Sequence, residues 1–221
     1  MKRVALLLWK DAVTEARSLE RLGTLVVFSA TVLVTLHFSL PPESDVRPLA
    51  AAGFLWAAIV FASVLEFRRA FESERRDGTL DALRASPIDP TALYLAKTLS
   101  SAIVVGILVC VLVPLTAALF SGRPSGIAAS MGVAFLGVAG MTAWGTLFAA
   151  VAGAARSSDI ILPILLFPLV VPQTIACVRL LALYLGGAPL ESATTGFVLL
   201  GAFDVLALGT SILLFEYVLE E

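Results

Sequence analysis

Long apolar runs, broken by short polar punctuation, set the pattern of this chain. The runs show no two-residue alternation and last about 18–27 residues, so they predict helices long enough to cross a bilayer. Six are read, at roughly 23–40, 48–66, 97–120, 126–152, 160–185 and 195–217. They are far longer than a barrel strand, which excludes a closed β-barrel. Between the second and third runs the pattern changes: from Arg68 to Asp89, ten of 22 residues are charged. Ahead of the first run, residues 2–21 place Ala5, Leu8, Trp9, Ala12, Ala16 and Leu19 within one helical arc of about 100°. Lys2, Arg3, Lys10, Asp11, Arg17, Ser18 and Arg21 crowd the other side. That predicts an amphipathic helix in the membrane interface with Trp9 as its anchor, a solvated leader being the alternative. Gly23 marks the bend into the first span.

Composition supports this reading. The 221 residues are 59% hydrophobic and 14% charged, with a mean hydropathy of +0.96. The expected fold class is therefore an all-α polytopic membrane protein, one transmembrane domain over residues 1–221 with six transmembrane helices preceded by the interfacial helix. The first 22 residues are charged throughout and lack an apolar h-region, so no cleavable signal peptide is expected. The net charge of −2 says little, but the placement of basic residues says more. Twelve Lys and Arg fall on the N-terminal segment and on the loops after spans two and four, against Arg47 and Arg123 on the opposite side. That asymmetry predicts cytoplasmic termini and a cytoplasmic charged loop.

Several residues inside the spans invite attention. Gly132, Gly137, Gly140 and Gly145 permit close packing of span four. Pro163, Pro168 and Pro172 recur about one turn apart in span five, which predicts a kinked or locally unwound helix. Asp204 lies near the middle of span six, where a charge costs a few kcal/mol or more. Arg179 in the outer half of span five is the candidate partner for an intramembrane pair, snorkelling outward to the interface being the alternative. Glu66, Asp159 and Glu216 sit at cytoplasmic span ends and are expected to be solvated. Cys110 and Cys177 read as buried small hydrophobes. With one histidine and no His/Cys cluster, no metal site is expected, and no catalytic residues are assigned.

The charged loop carries the chemistry. Asp77 or Thr79 can cap a short helix, Asp81 sits in its first turn, and Pro87 stops it after two turns. A helix this short is marginal alone. Leu80 and Leu83 share a face, and burying both in a groove on another protein would contribute roughly 3–6 kcal/mol before ordering costs. The alternative is a solvated loop whose leucines fold back on the membrane surface.

Phe71, Glu74, the run Asp77-Gly78-Thr79-Leu80-Asp81, Leu83, Ser86-Pro87 and Leu95-Ala96-Lys97 resemble the cytoplasmic loop of the cytochrome c maturation protein B family, also called heme exporter protein B. Leu162-Pro163-Ile164-Leu165 with Pro168 and Pro172, the chain length and the six spans are similar to the same family. The resemblance implies the permease subunit of an ABC transporter complex in the bacterial inner membrane. It also implies that Thr79–Ala85 is a coupling helix held in a groove of a separate ATPase subunit, of the cytochrome c maturation protein A type. Two permease copies, two ATPases and the maturation subunits C and D are the implied assembly. Heme is the implied cargo of the complex, or else ATP is used to release a heme-loaded chaperone. No cofactor is assigned to this chain itself and no nucleic-acid partner is expected. His37 is a tempting heme ligand, but a lone histidine at an interface reads as structural.

No G-x-x-x-x-G-K-[ST] phosphate loop occurs, so ATP hydrolysis, if the protein depends on it, is expected from another chain. A related permease exporting a drug, lipid or polysaccharide would share the loop and is the alternative. An ion-coupled carrier or membrane enzyme would want several intramembrane carboxylates or a nucleophile–base pair, and the spans offer neither.

Overall fold

The structure, a computed structural model, describes residues 19–41, 47–70, 90–120, 122–154, 158–189 and 193–220. All six apolar runs are helices: α1 (Leu19–Phe38), α2 (Arg47–Ala70), α3 (Pro90–Leu119), α4 (Pro124–Ala154), α5 (Ser158–Leu185) and α6 (Thr194–Glu220). Five of them hold apolar stretches of 23 to 30 residues, enough to cross a bilayer by length and composition. The sixth, in α1, is shorter: Leu22–Phe38 is apolar over 17 residues, at the lower end of what a bilayer needs. Charged Glu20 and Arg21 open that helix and shorten its apolar part. Gly23 lies inside α1 instead of at a bend before it. Of the expected interfacial helix, residues 2–18 lie outside the described residues.

The helix ends differ from expectation most at α3, which begins at Pro90 and not near residue 97. Proline suits the first helical turn, since its missing N–H would have no partner there anyway. Polar Thr91 and Lys97 made the first two turns read as the tail of the charged loop.

The α4 helix is the hub, packed against α2, α3, α5 and α6, while α1 leans on α2 and α3. Most of the central stretch of α4 is buried and less than a quarter of that of α6 is, so α6 lies at the periphery. The large exposed side chains, among them Phe61, Ile103, Phe167 and Leu206, lie on the spans, where lipid is as comfortable a neighbour as another helix. Association therefore depends on close fit and on polar contacts between spans. Gly137, Gly140 and Gly145 each face a neighbouring helix closely, as expected, whereas nothing lies near Gly132.

Candidate functional site

Among the described residues, three places carry polar chemistry: the roots of the charged loop, a junction near mid-bilayer, and the opposite end of the bundle. The loop residues Glu74, Asp77, Gly78, Thr79, Leu80, Asp81, Leu83 and Pro87 lie outside the described residues. Their anchors are described. Phe67, near the end of α2, is fully buried, and its ring fills the space beside Gly145 of α4. Tyr94, in the second turn of α3, is also fully buried and donates its hydroxyl to the Ala143 carbonyl at 3.0 Å. Both roots of the loop thus close on one turn of α4, and Tyr94 also meets Phe215 of α6 at 5.2 Å between ring centroids.

Glu66 corrects an expectation, because it is buried and not solvated. It sits one residue before Phe67 on a helix pressed inward at this level. Lys97 on α3 is buried as well, while Arg68, Arg69 and Glu216 are exposed. Cys110 is exposed on α3, contrary to its expected burial, and Cys177 is buried as expected.

The mid-bilayer junction joins four helices. Trp56, Gly137, Gly140, Gln173 and Asp204 all fall near the midpoints of their spans. The Gln173 amide of α5 donates through Nε2 to the Gly137 carbonyl at 2.8 Å and to Asp204 Oδ1 of α6 at 3.2 Å. Trp56 Nε1 of α2 donates to Thr174 Oγ1 at 3.1 Å. Glycine makes this possible on α4: a Cβ at Gly140 would overlap Asp204 Oδ1 and Gln173 Nε2, and one at Gly137 would overlap the Trp56 ring and Cys177. Gln173, Thr174 and Cys177 share one face of α5 by their spacing of one, three and four residues.

Asp204 therefore bonds Gln173, and Arg179 is exposed. The expected Arg179–Asp204 pair is not what the fold builds. Arg179 is six residues beyond Gln173, about 120° around the helix and about 9 Å along it, so it faces away from the junction. Replacing both Arg179 and Asp204 with leucine should accordingly give the sum of the single effects within about 0.5 kcal/mol. A double variant milder than Asp204→Leu alone, in melting of the purified protein, would reverse this assignment. Nothing in the periodicity of span five singles out Gln173; the available signal was a long polar amide in a mostly apolar run.

The three prolines do not unwind α5, which is continuous from Ser158 to Leu185. Pro168 and Pro172 lie on its exposed face, so their rings do not enter the packed side of the helix.

At the end where α1 stops and α2 begins, the His37 ring stands edge-on to Phe120 at 4.9 Å and to Phe38 at 5.2 Å. Arg47 lies over the Phe120 ring at 5.8 Å. Behind them is a small cavity of about 190 Å³ lined by Pro48, Thr116, Phe120, Arg123 and Leu185. His37 is packed among aromatic rings, and no group of three or more His, Cys, Asp or Glu that could hold a metal occurs among the described residues.

A multi-pass, all-helical membrane protein whose hub helix receives both roots of a charged loop is the class these features define. The chain matches the family described as CcmB protein over residues 2–217, and it belongs to that family. It is 29% identical to the heme exporter protein B of Rhodobacter capsulatus over 154 residues, 69% of this chain and 70% of that relative. Its identity to the protein of the same name from Pseudomonas aeruginosa is 26% over 192 residues, 87% of this chain and 82% of the relative. A shorter stretch of 80 residues, 36% of each chain, is 30% identical to the Escherichia coli K12 protein.

Proposed function

We propose that this chain is the membrane permease subunit of an ABC-type complex for c-type cytochrome biogenesis, itself non-catalytic and driven by a separate ATPase subunit. The reading is carried by the family match, which spans residues 2–217 and so takes in the charged loop. The name shared by the relatives, heme exporter protein B, points to heme as the cargo. Release of a heme-loaded chaperone is the other output such an ATP-driven stroke can have.

In this reading Thr79–Ala85 is the coupling helix. Leu80 and Leu83 seat it in a groove of an ATPase of the cytochrome c maturation protein A type. Glu74, Asp77 and Asp81 orient it, Gly78 allows the turn into it, and Pro87 ends it. Two copies of the chain, the ATPases and the maturation subunits C and D make the complex, in the bacterial inner membrane with termini and loop in the cytoplasm. The packing supports a mechanical role. A push on the loop enters through Phe67 and Tyr94, both braced on Ala143–Gly145 of α4, and α4 touches every helix except α1 extensively.

The test is to isolate the tagged chain and its Leu83→Asp variant from native membranes and compare the subunits that accompany each. A charge at a buried anchor should reduce the co-purified ATPase about tenfold or more. Cytochrome c maturation should fall in parallel at an unchanged membrane level of the variant. Undiminished co-purification would sink the anchor, and intact cytochrome maturation without this chain would sink the function.

A further inference from the structure

The Gln173–Asp204 junction has its donors used up and acceptors left over. Gln173 Nε2 carries two hydrogens, and its bonds to the Gly137 carbonyl at 2.8 Å and to Asp204 Oδ1 at 3.2 Å account for both. Flipping the amide would set Oε1 against those same two acceptors, so this orientation is the one the contacts require. What remains is Asp204 Oδ2 and Gln173 Oε1, both buried and both without a hydrogen-bond partner. The residues themselves are 5% and 1% exposed, so bulk water does not serve them. Buried polar atoms of native proteins are nearly always paired, and an ionised carboxylate alone in mid-bilayer is strongly disfavoured.

A carboxylic acid and a primary amide pair through two parallel hydrogen bonds. The amide N–H donates to the acid carbonyl, and the acid O–H donates to the amide carbonyl. The first of these is already present here. The second needs one proton on Oδ2, and that proton would satisfy both orphaned acceptors at once.

We propose that the Asp204–Gln173 junction is a proton-binding site, with a proton held on Asp204 Oδ2 and donated to Gln173 Oε1 so that α6 is locked to α5. Among the described residues, no charge faces the junction that would keep the carboxylate ionised. The hub helix α4 has no titratable residue between Pro124 and Ala154. From α5 the group facing the junction is the buried Cys177 thiol, and Arg179 points away and is exposed. On α6, Glu216 and Tyr217 are exposed. On α3, Tyr94 packs on Phe215 and Lys97 lies one turn from Tyr94, a region about 16 Å along α6 from Asp204. Trp56 of α2 is committed to Thr174. A bound metal cation is the rival occupant, but such ions take about six or more oxygen ligands, and Asp204 Oδ2 and Gln173 Oε1 are the two junction oxygens left unengaged.

The test is difference infrared spectroscopy on the full chain in lipid at neutral pH, with and without ¹³C-labelled aspartate. A protonated-carboxyl stretch that shifts with the label and vanishes in Asp204→Asn is expected. Asparagine can reproduce both bonds, so that variant should melt within about 3 °C of wild type, whereas Asp204→Leu and Gln173→Leu should each fall further. Absence of the labelled band in the wild-type protein would overturn the proposal, and this measurement stands even if a variant fails to fold. A melting point that depends on sodium or potassium, and loses that dependence in Asp204→Asn, would overturn it in favour of a cation.

Discussion

Leucine at position 140 is expected to lower the melting point by about 6–12 °C, the equivalent of about 2–3 kcal/mol in a chain of this size. A Cβ alone at Gly140 already overlaps Asp204 Oδ1 and Gln173 Nε2, so the longer side chain must push α4 away from α5 and α6 together. The separation also breaks the Gln173–Asp204 bond and leaves two buried polar groups to find partners in lipid. Gly132→Leu is the control on the same helix. Nothing lies within 4 Å of a Cβ there, so the change should stay within about 0.5 kcal/mol of wild type. Equal melting of the two variants in detergent would show that Gly140 is not a contact point.

Removal of the indole in Trp56→Ala is the second large effect, expected at about 3 kcal/mol. In a bilayer the unfolded reference remains in lipid, so little of this loss is transfer from water; most is the cavity left behind and the contacts forfeited. Trp56 is wholly buried, fills the gap beside Gly137 and holds Thr174 of α5 through its Nε1. Trp56→Phe keeps most of the ring volume and loses the hydrogen bond, so its cost should be nearer about 1 kcal/mol. The comparison, by melting in the same detergent, separates packing from polarity. A Phe variant as damaged as the Ala variant would assign the stability to the hydrogen bond instead.

Much of the helical framework was legible because bilayer thickness demands long apolar runs, and such runs are visible without knowing any contact. The beginning of α3 was less legible, since Pro90 starts a helix whose first two turns carry Thr91 and Lys97 and read as loop. Burial of Glu66 was hidden for a related reason. A charged residue at a span end is usually wet, whereas Glu66 is buried next to Phe67, whose ring packs against Gly145. The partner of Asp204 was the largest miss. Opposite charge made Arg179 the natural candidate, yet a difference of six residues turns it away from the face that bears Gln173 and Thr174.

The amino-acid order alone determined that the protein is a set of apolar helices interrupted by one strongly charged loop, because hydrogen-bond satisfaction in hydrocarbon leaves a continuous apolar run no other spanning form. Which side of each helix turns inward was decided only by the tertiary structure. Lipid and protein interior are almost equally apolar, so hydrophobicity cannot choose between faces. The choice falls to shape and to scarce polar groups: the gaps at Gly137 and Gly140, the indole that fills one, and the amide that meets Asp204 beside the other.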